Sequence, residues 1–200
     1  MEERAVVVEG VRIRYIEEGA GRPFVLLHGY SFNSDDWFRA GIAQELAKTY
    51  AVYAIDMPYG AKSKSGRVRL NARGYAEFLR KILDSLGLGG PAVVGPSMSG
   101  EVLLWYLALG LPAAAGVVVG PVGLTNEELA RLAPGARAPL LAIWGEEDKI
   151  SPPREAAPVL KRLFPRAEVA VIPGAGHPAY LDKPSEFLEI LLSFLNKIGY

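Results

Sequence analysis

The sequence predicts an α/β fold: an eight-stranded, mostly parallel sheet with helices on both faces and an antiparallel hairpin at its start. Three observations carry that expectation. Short, fully apolar runs such as Phe24 to Leu27 have the composition of strands buried on both faces. Helix-length segments separate these runs, which is the alternation of a chain built from strand–helix–strand units. Each run also ends in glycine or polar residues, and sheets of this kind hold their ligands at the carboxyl ends of the strands.

Taken in order, Ala5 to Val8 and Val11 to Ile16 flank Glu9-Gly10 as the two arms of a hairpin. Phe24 to Leu27 is the next strand, stopped by His28-Gly29. Asp35 or Asp36 caps a helix expected to run to about Lys48, and Ala51 to Ile55 is a strand ended by Asp56 and Pro58. Asn71 begins a helix through Leu86, broken by the glycines between 87 and 90. Ala92 to Val94 is a strand, followed by a tight turn and a helix from Glu101. Val117 to Val119, Pro139 to Trp144 and Glu168 to Ile172 complete the sheet. A short polar helix near Asn126 to Leu132, a helix from Pro152-Pro153 to Leu163 and a last amphipathic helix from Pro184 to about Ile198 fill the intervals.

Two hundred residues suffice for one domain with a sizeable core and are too few for two ordinary ones, so residues 1–200 are read as a single domain. Lysine plus arginine and aspartate plus glutamate stand at 22 each, which supplies no net field to recruit nucleic acid or an anionic membrane. Neither partner is expected. The lack of cysteine excludes disulfides, thiolate metal sites and a cysteine nucleophile. No spacing suggests a metal site and no phosphate-binding loop is present, so no cofactor is expected. The stretch MEERAVVVEG has no positive region followed by an apolar core, and a cytoplasmic protein is expected. Val102 to Asn126 is uncharged and long enough for a membrane span, but Gly110, Pro112, Gly116, Gly120 and Pro121 interrupt it. It reads as a core helix followed by a core strand.

Chemistry gathers at the strand ends. Gly95-Pro96-Ser97-Met98-Ser99-Gly100 lies between a strand and a helix, the context of a strained turn that presents a nucleophilic serine between small residues. A serine hydroxyl needs a base, and the base needs an acid to orient it and stabilise its cation. Of the two histidines, His28 is followed at once by Gly29 and suits a turn, whereas His177 sits in a glycine-rich loop after the last strand. His177 is the expected base. Asp148, just beyond Gly145, is the expected acid, with Glu147 the alternative beyond the same strand. Asp56 reads as a structural strand-end cap, and Ser99 lies inside the first helical turn. The backbone N–H groups of Met98, at a helix start, and of Tyr30 are the expected oxyanion donors. Tyr30, Phe32, Trp37, Met98 and Tyr180, with Trp105, are candidates to line the substrate pocket. Lys62, Lys64, Arg67, Arg69 and Arg73 form a basic run that reads as a solvated loop, with an anionic substrate or partner as the sharper alternative.

The pieces LLHGY, AIDMP, GPSMSG, WGEED and GAGHPAYLDKP together resemble the α/β-hydrolase superfamily over nearly the whole chain. Within it, LHGYSFNSDDW, GPSMSG and GAGHPAYLDKP are most similar to the small lidless group typified by α/β-hydrolase domain-containing protein 14. The resemblance implies a serine hydrolase acting on small acyl esters, and in that group deacetylation has been proposed. It carries the roles of nucleophile to Ser97, acid to Asp148, base to His177 and oxyanion donors to Tyr30 and Met98. Two departures stand out: Ser99 replaces the usual glycine, and Tyr59-Gly60-Ala61-Lys62-Ser63 replaces a glycine-rich loop.

Only 18 residues, Pro121 to Ala138, lie where a cap domain would be inserted, room for one short helix. An open pocket without a lid favours short acyl groups on a variable alcohol or amine. The leading expectation is therefore a serine esterase of the carboxylesterase kind that takes a small-molecule acyl ester. The same nucleophile also suits amide deacetylation, acyl transfer or perhydrolysis, and a binding or signalling protein with poor turnover is the reading of another class.

Overall fold

In the computed structural model, which describes residues 2–200, Glu9 and Gly10 both take positive φ, 49° and 79°. A two-residue turn with both φ positive matches the natural twist of paired strands, and here it joins β1 (Glu2–Val8) to β2 (Val11–Glu18). β2 then runs antiparallel to β4 (Tyr50–Ile55). Every later pairing is parallel, through β3 (Arg22–Leu26), β5 (Ala92–Pro96), β6 (Ala115–Val119), β7 (Leu140–Gly145) and β8 (Glu168–Ile172). The strand order is β1-β2-β4-β3-β5-β6-β7-β8. This is the expected eight-stranded α/β sheet.

The order has one consequence for the site. The chain moves outward from β3 to β4, then crosses back over β3 to β5, so the ends of β3 and β5 lie side by side where the winding reverses. That is the crevice in which open α/β sheets bind ligands.

Alternate residues of the buried strands feed two separate cores. Val93, Val118 and Trp144 pack with α3 (Ala72–Ser85), α4 (Met98–Ala108) and α6 (Pro153–Leu163), while Val94, Val117 and Ile143 pack with α1 (Asp35–Arg39), α2 (Ile42–Leu46) and α8 (Pro184–Ile198). The uncharged stretch from Val102 splits into α4 and β6 as its glycines and prolines imply. Among the described residues no helix is long and apolar enough to cross a membrane.

One helix differs from expectation. In place of a continuous helix to Lys48 there are two, α1 (Asp35–Arg39) and α2 (Ile42–Leu46), because Gly41 takes φ of 75° and stops the first. Neither Asp35 nor Asp36 caps α1. The α1 N-cap is Ser34, and the Asp36 carboxylate instead accepts the Asn33 N–H. Between β6 and β7 there are only α5 (Glu127–Leu132) and a 3-10 turn at Ala133–Gly135, so no cap is inserted there.

A buried ionic cluster holds the hairpin to the rim of the sheet. Arg14, 2% exposed, bonds Asp56 at 3.2 Å, Asp35 at 2.6 Å and Glu3 at 2.6 Å. The Asp56 carboxylate is itself buried, and it also accepts the Ser34 N–H and hydroxyl and the Lys64 N–H. Asp56 therefore ties four segments together. Charges of this kind are costly to leave unpaired. We expect Arg14→Met to lower stability by about 3 kcal/mol in urea denaturation, because it strips Asp56 of its guanidinium; a loss below about 1 kcal/mol would contradict this account.

Candidate active site

Ser97 stands between the last residue of β5 and the first of α4 with φ 52° and ψ −115°. A positive φ on a residue with a Cβ costs of order 1–3 kcal/mol and persists only where the surroundings enforce it. Here the Ser97 N–H donates to Val119 O on β6 at 2.8 Å, and its carbonyl accepts the Glu101 N–H in the first turn of α4. Small residues make the turn possible. A Cβ on Gly95 would lie 2.5 Å from Ser99 O, and one on Gly100 would lie 3.0 Å from Gly95 O.

The turn aims the Ser97 hydroxyl at His177, whose Nε2 is 2.8 Å from Oγ. On the other side of the ring, Nδ1 is 2.8 Å from Asp148 Oδ2. The remaining carboxylate oxygen, Oδ1, accepts the N–H groups of Ile150 and Ser151 at 2.8 and 2.9 Å. Asp148 is thus buried and fully engaged, whereas Glu147 is exposed and takes no part. The loop that carries His177 is anchored by the Gly176 N–H on Asp182 Oδ2, from a short helix α7 (Ala179–Asp182) not anticipated in the sequence.

Gly120 was also not singled out as a site residue. With φ of 50°, it has room for no side chain: a Cβ would sit 2.8 Å from Asp148 Oδ2 and 3.1 Å from His177 Nδ1. Its only sequence signal is a glycine directly after an apolar strand.

Ser99 is buried in α4. Its hydroxyl donates to His28 O and accepts from the Tyr59 hydroxyl, so it is not free to act as a nucleophile. The two departures from the family pattern are therefore bonded to each other. Gly60, next to Tyr59, lets the chain pass close to Tyr30 O, which accepts the Ala61 N–H. His28 is fully buried. The Met57 N–H donates to its Nε2 and its Nδ1–H donates to Gly29 O, each at 2.9 Å, so this histidine braces the two strand ends rather than transferring protons.

A cavity of about 150 Å³ opens beside Ser97, lined by Tyr30, Phe32, Pro96, Ile150, Pro178 and Tyr180 among others. Tyr30, Phe32 and Tyr180 are where the sequence placed them. Trp37 is not: it is 1% exposed, its indole N–H donates to Leu27 O, and its ring packs on Tyr180 with centroids 4.3 Å apart. The half-buried Met98 side chain packs against the core that includes α3 and α4 and is not among the residues lining the cavity, and Trp105 is core. Ile150 and the two prolines line the cavity without having been anticipated. In the basic run, Lys64 pairs with Asp35 and Arg73 with Glu77 and Glu128, while the Lys62 ammonium lies 5.9 Å from the centre of the Phe32 ring.

With this geometry established, comparison with known proteins is decisive on the family. The model of the alpha/beta hydrolase fold matches residues 22–127 and 114–184. The chain belongs to the α/β-hydrolase family. Human ABHD14B, whose name marks it provisionally as a protein-lysine deacylase, is 35% identical over 86% of this chain and 81% of its own. A predicted CIB-like hydrolase from Thermoplasma acidophilum superimposes with a TM-score of 0.87 at 27% identity, covering 98% of each chain. Naproxen esterase from Bacillus subtilis shares the fold, with a TM-score of 0.85 at 18% identity over 97% of this chain and 91% of that one.

Two expectations follow from the packing. Gly120→Ala should slow fluorophosphonate labelling of Ser97 about a hundredfold, the loss that a misplacement of about 1 Å can cause; an unchanged rate would show that the His177–Asp148 pair does not depend on this glycine. Burial also holds the His28 pKa below its ordinary value of 6.5. Its folded-state stabilisation is complete above the unfolded pKa and is lost as pH falls through the depressed folded value. Urea midpoints should accordingly fall from about pH 7 to about pH 5, and fall less in His28→Gln. Equal acid sensitivity in the two proteins would exclude His28 as a contributor.

Proposed function

We propose that this protein hydrolyses short-chain acyl esters through an acyl-enzyme on Ser97. The observation that carries the reading is the unbroken chain from Ser97 Oγ to His177 Nε2 and from His177 Nδ1 to Asp148, at 2.8 Å for each link. In this scheme His177 removes the Ser97 proton as Oγ attacks the acyl carbon. Asp148 stabilises the imidazolium and keeps the ring in its productive tautomer. The developing alkoxide is held by the N–H groups of Met98, at the N-terminus of α4, and Tyr30, whose carbonyl in the following peptide accepts the Ala61 N–H. His177 then protonates the departing alcohol, and water, activated by the same ring, releases the acid.

The short-acyl preference is supported by the size of the cavity beside Ser97, about 150 Å³, which is well below the 300–1,000 Å³ of pockets for drug-sized ligands. The absence of an inserted cap between β6 and β7 supports it as well. A second reading, removal of acyl groups from lysine, is favoured by the name carried by ABHD14B and uses the same residues with an amine as leaving group.

Ser97→Ala should lower turnover of p-nitrophenyl acetate by about 10⁶ while leaving the thermal midpoint close to wild type. In the same assay acetate and butyrate esters should exceed palmitate by at least about tenfold in kcat/KM. Residual activity in the alanine variant, or a palmitate preference, would refute the respective part. An acetylated lysine peptide run alongside separates ester from amide chemistry.

A further inference from the structure

A second cavity of about 300 Å³ lies between the 121–125 loop and the start of α6, and Ile150 lines both it and the cavity beside Ser97. Ile150 is 66% exposed, so its apolar side chain is open to a molecule lying across the two cavities. Its backbone is not free to drift, because its N–H is bonded to Asp148 Oδ1. The walls of this groove are joined at the base, where the Ser151 hydroxyl donates to Pro121 O at 2.8 Å.

We propose that this groove is the leaving-group subsite, that it takes an extended aliphatic alcohol or amine, and that Ile150 divides that group from the acyl group. The inference rests on the serine-hydrolase reading above and adds the side of the substrate on which bulk is accepted. When the Ser97 Oγ–carbon bond forms and the bond from carbon to the leaving oxygen breaks, the proton taken from Ser97 must pass from His177 Nε2 to that oxygen. The leaving group therefore departs on the side of His177, and Ile150, which lines the Ser97 cavity with His177 and whose N–H is bonded to Asp148, leads from there into the groove. The acyl group is left with the smaller cavity against Phe32 and Tyr180.

The lining states what the groove accepts. Val122, Leu124, Ile150, Ala156 and Val159 offer apolar surface to a methylene stem, and Glu155 is the one charged residue among those that line it. A stem ending in a neutral or cationic group fits; an anionic end is opposed by the Glu155 carboxylate. The small cavity and larger groove thus invert the arrangement of an enzyme that buries a long fatty acyl chain.

Two isomeric esters test the assignment, n-hexyl acetate and ethyl hexanoate, which carry their bulk on opposite sides of the carbonyl. Hexyl acetate should be cleaved with at least about tenfold higher kcat/KM. Val159→Asp, which puts a charge in the groove, should lower kcat/KM for hexyl acetate about tenfold more than for methyl acetate. The wild-type comparison does not depend on whether that variant folds. Fluorophosphonate labelling of Ser97 with turnover of methyl acetate shows that the serine reading stands; equal rates for the isomers, or a preference for ethyl hexanoate, then overturn the groove alone. Absence of labelling and of all ester turnover overturns the serine reading and the groove with it.

Discussion

The structure depends on one strained residue. Between β5 and α4 the chain must turn within a single position, and Ser97 accepts φ of 52° to do so. A cost of order 1–3 kcal/mol is sustained only because distant segments leave no alternative. Gly95 and Gly100 clear space within the turn, and the Val119 carbonyl fixes the Ser97 N–H from the neighbouring strand. Gly120, one residue further along, clears the space that His177 and Asp148 occupy. Small residues on different strand ends thus answer a single geometric demand.

The departures from the family pattern answer the same demand by another route. Where glycine is usual, Ser99 brings a hydroxyl into a buried turn, and an unpaired hydroxyl there would cost about 1–3 kcal/mol. It is doubly satisfied, donating to His28 O and accepting from Tyr59. Since Tyr59 comes from the other departing segment, neither substitution is intelligible alone. Together they bind the ends of β3, β4 and β5 at the place where Tyr30 and Met98 present their backbones.

Charge is distributed so that the serine faces few fixed ions. The two terminal nitrogens of Arg14 pair with Asp56, Asp35 and Glu3 between the hairpin and α1, and the neutral His28 braces β3 against the segment after β4. Asp148 is the carboxylate directed at the site through His177, and its second oxygen is occupied by two backbone N–H groups. That saturation orients it toward the imidazole. It also places Ile150, whose amide it holds, at the junction of the two cavities.

The convergence of Ser97, Asp148 and His177 was legible in the sequence because each lies in the segment just after a strand, and parallel strands deliver their ends to one crevice. The two-core sheet was legible for a similar reason: periodicity and apolar runs are local signals set by backbone geometry. The break at Gly41, the short helix α7 and the burial of Trp37 were not. Which way a side chain faces in a short loop is decided by what packs against it, and those partners, such as Tyr180 for Trp37, lie far away in the chain. The sequence by itself determined the fold and the strand-end placement of Ser97, Asp148 and His177, through local backbone preference. Only the tertiary structure decided the surroundings of Gly120, Tyr59 and Ile150, because each is placed by a contact that no spacing along the chain records.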